Sequence, residues 1–531
     1  MTTGRLAHDA SGDGARAEGT AAGRGAAGEP APGARRPWWV WWVPFALLFA
    51  VLVVRNRYLF TAHLYEQGDS GADSILMEQA RRLTLLVGNY SREGFNHPGP
   101  AYMYAQAAGQ TLFTLIRLVP TAWNGQLLTV YAMNSGFFAL AAGVVYGWTR
   151  SLRAVLASVA VAAAFGVAYP AILSSNWMPD MYVVPYFTFV VAAASVAAGR
   201  SQDAWVMALT GWFLIHGHAC FLFFVPVITC AVLAVAAWPH RRAPVAALRS
   251  FLATRRRVWV PVAVISAVFA LPIVINLALH WPGDFGKYFS YGSSSQAGGH
   301  GVAQVVQYAA QFWWPHEYAG AVPVLAYAVA GILVWKLASG LPRRFLVALL
   351  ALNVVSTLAF GFYAAVGVDN LSEQYIGYFY WSAPAITVLV MVVAVVEALP
   401  ARPGVAVAAA AAAMAVVALA VNPGTHTDLR DNDPALPSAV AAIAAGAHGR
   451  TIVLTIDPYT WIQVVGFLVQ GERTGVHACV VGSYWTYLMS SQFVCTPGQA
   501  AAGAPFWFHS GAATPGSHVV EQFDGVTVTS G

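Results

Sequence analysis

Long apolar runs constrain this chain more than any other feature of its sequence. They fall at about 38–54, 126–148, 152–173, 181–199, 204–219, 221–238, 258–279, 321–338, 345–366, 378–399 and 404–421, each near the roughly 20 residues that a helix needs to cross a hydrocarbon core. Lipid offers no partner to backbone N–H and C=O groups, so each run is expected to be a helix. Charged residues make up 10% of the chain, less than half the roughly 25% of a soluble domain. The sequence therefore predicts a polytopic α-helical membrane protein with about 11 transmembrane helices.

The charges that remain are sorted by side. Taking the Gly-, Ala- and Arg-rich residues 1–36 as a disordered cytoplasmic tail and 38–54 as a retained signal anchor, single crossings put Arg150, Arg153, Arg200, Arg241, Arg242, Arg249, Arg255, Arg256, Arg257, Lys336, Arg343, Arg344 and Arg402 inside. A net charge of +5 is thus a positive-inside signal, and nucleic acid is not expected as a partner. The segment 101–119 is read as an amphipathic helix on the outer surface, because counting it as a span reverses every later loop. This divides the chain into the tail, a membrane domain at 37–421 whose first extracytoplasmic loop (55–124) carries juxtamembrane helices, and a small extracytoplasmic α/β domain at 422–531. In the last of these, RTIVLTID and GVHACVVG read as strands around a helical TWIQVVGFLVQGE. The expected location is the cell membrane, with the N-terminus cytoplasmic.

Cys220 and Cys230 lie in apolar runs and read as small core hydrophobes. Cys479 and Cys495 lie in the polar C-terminal region and form a disulfide if it faces an oxidising compartment; the alternative is two separate buried thiols.

Candidate chemistry gathers on the outer side, first in the polar stretch from Asp69 to Pro100. Asp69 and Asp73 share a helical face if a helix begins this early; otherwise one caps a helix and the other is solvated. Asp69, just outside a span, is placed to act as a general base on a hydroxyl. Arg81, Arg82 and Arg92 are the donors a phosphate group needs, or alternatively contacts for anionic lipid headgroups. The turn Asn96-His97-Pro98-Gly99-Pro100 is stiffened by its prolines and holds His97 near the site, unless His97 is an exposed loop histidine. Asn176 and Asp180 flank a Trp177 platform suited to sugar hydroxyls, or form an interfacial anchor with a helix cap. His216 and His218 point apart at i and i+2 on a helix, so phosphate or a neighbouring helix is expected as a partner for one of them rather than a metal. The loop 280–318, with Lys287, a Gly/Ser run, His316 and Glu317, reads as a substrate-gating loop or a passive one with a Trp belt. Glu373 and Tyr375 are further sugar or phosphate contacts, again with an interfacial belt as the rival.

An acid after the first span, followed by His97-Pro98-Gly99-Pro100 opening an aromatic helix, resembles the first extracytoplasmic loop of GT-C membrane glycosyltransferases. The similarity is to the family 39-like branch that contains protein O-mannosyltransferases and lipid A aminoarabinose transferases. Members commonly read His-Pro-Pro-Leu or similar where this chain has His-Pro-Gly-Pro, and the second family acid corresponds to Asp73, Glu78 or Glu93. The resemblance implies a polyprenyl-phosphate-linked sugar donor, a glycan, lipid or protein acceptor, inversion at the anomeric carbon, Asp69 as base, and a role in building the cell envelope or cell wall. Its superfamily contains both metal-dependent and metal-independent enzymes, so a divalent cation is neither implied nor excluded. Two other classes fit a polytopic chain: a transporter or flippase for a lipid-linked substrate, and a non-catalytic glycan-binding membrane protein. Transport calls for ionisable groups at mid-membrane depth, and the run 258–279 has none.

Overall fold

Each of the eleven apolar runs forms a helix, and the helices differ in length and in what covers them. The computed structural model describes residues 36–237, 256–293, 299–313, 320–427, 429–482, 486–513 and 516–530. The expected N-terminal tail lies outside these, as do Arg241, Arg242, Arg249, Arg255, His316 and Glu317. Among the described residues, six helices are long and apolar enough to cross a membrane on their own: Ala122–Thr149, Met178–Ala197, Arg257–His280, Gly340–Val366, Gln374–Ala398 and Ala401–Val421. The runs at 38–54, 152–173, 221–238 and 321–338 form shorter apolar helices, and the piece at 204–219 forms a 14-residue helix, Ala204–Gly217. Val260, Val264, Val268, Leu271 and Leu279 are exposed along Arg256–His280, and Val407, Met414, Val417 and Val421 along Ala401–Val421. Apolar faces of that extent need a hydrocarbon solvent, which makes this a multi-pass membrane protein.

The first helices are α1 (Trp39–Arg55), α2 (Gly68–Arg81), α3 (Ala101–Leu115), α4 (Ala122–Thr149) and α5 (Leu152–Ala168). At 15 residues α3 is about 22 Å long, short of a core of about 30 Å. It is amphipathic: Tyr102, Met103, Gln106 and Gln110 are buried, whereas Leu112, Leu115 and Ile116 are exposed.

The bundle has two chemically distinct ends. At one, Arg153 pairs with Glu397 at 3.1 Å and donates to the carbonyl of Leu399, Arg200 donates to the carbonyl of Gly147, and Arg344 lies beside Gly199. At the other, the Asp69–Pro100 stretch meets residues 175–182, 216–220 and 367–379. Arg153, Arg200 and Arg344 are therefore held at the opposite end of the helices from the acidic stretch.

Beyond the bundle, β3 (Ile452–Ile456) is parallel to both β4 (Ala478–Val480) and β5 (Ala504–Ser510). β5 continues antiparallel through β7 (Val526–Ser530) to β6 (His518–Phe523), giving the order β4-β3-β5-β7-β6. Two strands near the acidic stretch, β1 (Tyr90–Ser91) and β2 (Phe95–Asn96), form a small antiparallel pair of their own. Cys479 and Cys495 are joined as a disulfide. Cys230 departs from the expectation of a core thiol, because it is exposed on an outward face of Phe221–Ala237; Cys220 lines a cavity described below.

Helix α2 is wedged between the two parts of the fold. Leu76, Met77 and Ala80 belong to the bundle core, and Ala72 and Ile75 to the core around the sheet. A buried polar network runs through the same junction. Arg473, from the helix Trp461–Thr474, stands 2.8 Å from Glu66 and donates to Glu78, also at 2.8 Å. Ser74 and Gln470 donate to Glu66, Gln110 donates to Glu78, and Gln126 of α4 donates to Gln110. Burial alone disfavours the Glu78 charge, but Arg473 and then Arg81 outweigh it and hold the carboxyl below its ordinary range.

Candidate active site

The start of α2 at Gly68 decides where the acids point. Gly68 has φ +57° and a Cβ there would lie 3.3 Å from Asp431, so the tight entry suits glycine. Asp69 then falls in the first turn, where a carboxylate is favoured by the helix dipole, and Asp73 follows one turn later. Both line one cavity of about 340 Å³.

Asp69 is fixed from two sides. The Tyr90 hydroxyl of β1 donates to Oδ1, and the indole Nε1–H of Trp177 donates to Oδ2 at 2.9 Å. Burial, then the Asp69 and Asp73 charges, hold the Tyr90 phenol well above its ordinary value, so it stays a donor. Asp73 differs: it is buried, and Oδ1 has no hydrogen-bond partner. Burial, then the carboxylates of Asp69 and Asp431, push it well above the usual carboxylate range. Asp431 accepts from the backbone N–H of Ser70 at 3.2 Å and is itself raised by burial. The two aspartates of α2 are thus chemically different, one oriented by donors and the other biased toward its neutral form by burial and neighbouring carboxylates.

The Arg92 guanidinium closes the rim. It donates to Asp369 at 2.6 and 2.7 Å, to Glu373, and to the Tyr375 hydroxyl at 3.1 Å, with Glu93 at 3.4 Å. This ties the β1–β2 loop to the segment after the helix Gly340–Val366. Lys287 donates to the carbonyl of Gly94 and pairs with Asp284, and Tyr288 donates to the carbonyl of Asn96, so the helix Gly283–Ser293 rests on the same loop. The lining also has apolar members, among them Met178, Pro179, Ile376 and Phe379.

The His-Pro-Gly-Pro turn is held by histidines. His216 accepts from the N–H of Ala101 through Nδ1, and its Nε2 meets the carbonyl of Phe269 at 2.8 Å, so both ring nitrogens are engaged by backbone. A Cβ on Gly99 would lie 2.4 Å from His216 Nδ1, which gives this chain a steric reason for glycine between its prolines. His97 and His218 instead face each other with centroids 4.2 Å apart and planes tilted by 34°, and both line the cavity.

Of the residues singled out from sequence, Asp69, Asp73, Arg92, His97, His218 and Tyr375 meet around this cavity, with Glu373 behind Arg92. Arg81 and Arg82 do not line it: Arg81 pairs with Glu78 and Arg82 with Glu472. Asn176 accepts from Ser70 at 3.4 Å behind the wall, and Asp180 is buried in the short helix Met178–Met181. Sequence reasoning missed Asn89, Tyr90, Tyr291 and Asp431 as neighbours of the site. The alternation that makes β1 and β2 is only two residues long and carries no usable signal. Among the described residues, no three His, Cys, Asp or Glu side chains converge as metal ligands.

No protein-family model and no curated protein sequence matches the chain. Among solved structures it is similar to ArnT from Cupriavidus metallidurans, solved bound to undecaprenyl phosphate, with 14% identity, a TM-score of 0.54, and coverage of 93% of this chain and 98% of that one. The fold is of the GT-C type. Nearly full-length coverage in both directions means that the GT-C likeness takes in the C-terminal sheet as well as the bundle.

Proposed function

We propose that the cavity is the active site of a GT-C glycosyltransferase that uses a polyprenyl-phosphate-linked sugar at the extracytoplasmic face. The observation that carries this reading is the Asp69 carboxylate, held by Tyr90 and Trp177 at the wall of a cavity lined by both polar and apolar side chains. The likeness to a protein solved with undecaprenyl phosphate supports a polyprenyl donor, and the arginines at the far end of the bundle support an outward-facing site.

In this mechanism Asp69 accepts the proton of an acceptor hydroxyl as its oxygen attacks the anomeric carbon. The bond from that carbon to the phosphate oxygen breaks, and the polyprenyl phosphate leaves with the electron pair. Attack opposite the leaving group inverts the centre. Two donors on Asp69 fix its direction and leave lone pairs for the incoming proton. Arg92 holds the loop that carries Tyr90, and the apolar lining residues take the first isoprene units.

Membranes containing wild type, Asp69→Asn or Asp69→Ala, each shown to be inserted, are assayed for transfer from polyprenyl-phosphate sugars. Loss of a positioned general base lowers the rate by about 10²- to 10⁴-fold. Wild-type transfer by inserted variants overturns the mechanism.

A further inference from the structure

The cations that sequence offered for a phosphate are all matched to carboxylates. Arg81 pairs with Glu78, Arg82 with Glu472, Lys287 with Asp284, and Arg92 with Asp369, Glu373 and Glu93. Recruiting any of them strips a carboxylate of its partner. Tyr90 and Trp177 already spend their donors on Asp69. The cavity still has a second set of donors, the facing imidazoles of His97 and His218.

Their tautomers follow from backbone. Successive amides of the turn after Ala204–Gly217 donate to them: Ala219 N–H to His97 Nδ1 at 3.2 Å, and Cys220 N–H to His218 Nδ1 at 3.1 Å. A ring nitrogen that accepts an N–H carries no proton, so each neutral ring is protonated on Nε2. Because adjacent amides hold both Nδ1 atoms and the rings are tilted by only 34°, both Nε2–H groups face away from the turn. Neither Nε2 has a protein acceptor among the described residues, and both rings line the cavity.

We infer that His97 and His218 are the phosphate seat of the cavity, two neutral imidazoles whose Nε2–H groups donate to the non-bridging oxygens of a lipid phosphate. Burial, and then the facing ring of His218, push His97 well below its ordinary pKa, so it stays uncharged at neutral pH. Uncharged donors add no cation to compete with Arg92 for Asp369 and Glu373. They also bind a leaving phosphate without the tight pairing that slows release. The inference rests on the polyprenyl-phosphate reading above and names the groups that recognise its phosphate.

The test is binding to the full chain in nanodiscs, comparing a short polyprenyl phosphate with the corresponding polyprenol. Wild type is expected to prefer the phosphate. Each lost donor to a charged acceptor weakens phosphate binding about tenfold to hundredfold, so His218→Phe and His97→Phe lose most of that preference and leave polyprenol binding unchanged. His218→Gln, which keeps an N–H near the Nε2 position, retains part of it. Because His97 is buried, an independent measurement on wild type is included: ¹⁵N-histidine spectra, in which the phosphate shifts two Nε2–H resonances and polyprenol does not. A wild type that prefers the phosphate while folded variants keep the full preference, or while no Nε2–H resonance moves, overturns the seat and leaves the donor reading standing. A wild type that does not distinguish phosphate from alcohol overturns the donor reading and the seat with it.

Discussion

Replacing Arg473 by alanine tests whether the C-terminal sheet region holds α2. The guanidinium is largely buried between Glu66 and Glu78, so the change leaves Glu66 without its counterion and Glu78 with only the exposed Arg81. Breaking a buried pair by removing one partner destabilises by about 3–5 kcal/mol. At about 1.4 kcal/mol per factor of ten, opening of the junction becomes roughly 10²- to 10³-fold more frequent. Hydrogen–deuterium exchange of the protein in nanodiscs reads this directly, as faster exchange in α2 and in Trp461–Thr474 with little change in the bundle helices. The effect depends on pH with a definite sign. Glu78 is lowered in the intact junction, so its stabilising share is present above the ordinary value of 4.5 and is lost as pH falls through the lowered one. In the variant Glu78 loses the larger of the two cations that hold it low and takes up a proton more readily, so the difference from wild type narrows on acidification. Arg473→Met combined with Glu66→Gln and Glu78→Gln removes the charges together and recovers most of the protection. Exchange within about threefold of wild type in Arg473→Ala at neutral pH would refute the reasoning, since the predicted change is at least thirtyfold larger.

Three further outcomes follow from single contacts. Asp73 is raised in the folded state, so its penalty is absent below the ordinary 3.8 and grows as pH rises toward the raised value; Asp73→Asn therefore increases the unfolding temperature at about pH 8 and not at about pH 3.5. Gly99→Ala places a methyl 2.4 Å from His216 Nδ1 and costs about 1–3 kcal/mol, seen as a lower unfolding temperature; an unchanged temperature would mean that the turn yields freely. Cys479→Ser opens a link across 16 positions and costs about 3 kcal/mol in the chain-entropy account, read as faster proteolysis between β4 and β5 with the bundle intact.

Much of this fold is legible because lipid enforces it: an apolar run of about 20 residues has few choices, and all eleven runs became helices. The pairing of Asp69 with Asp73 is legible for a similar reason, since four residues on a helix give one face. What cannot be read is any partner distant in sequence. Arg81 and Arg82 look like phosphate donors in their own loop, yet Glu472 lies 390 positions beyond Arg82 and no local spacing announces the pair. Arg473 lies in the last turn of Trp461–Thr474, where nothing local marks it as the residue that fastens α2 to the sheet region. Asp524-Gly525, both at positive φ between β6 and β7, is a hairpin turn readable from its dipeptide, and it would reveal two of the three strands of this sheet that the sequence analysis leaves out.

The same geometry bears on how the C-terminal domain should be assigned a role. Ala72 and Ile75 of α2 are packed in its core, Asp431 accepts the Ser70 N–H in the first turn of α2, and Asp433 N–H donates to the carbonyl of Tyr65 just before it. Removing residues 422–531 exposes two core side chains and leaves the start of the acidic helix without these partners. Inactivity of a truncated chain is therefore expected whatever the domain binds, because Asp69 loses the helix that aims it. Substitutions on the outer face of the sheet, such as Val519, which is exposed on β6, leave α2 untouched. A rise in acceptor KM confined to such variants, with α2 exchange unchanged, is the result that assigns acceptor binding to the domain; its absence leaves the domain as the support of α2.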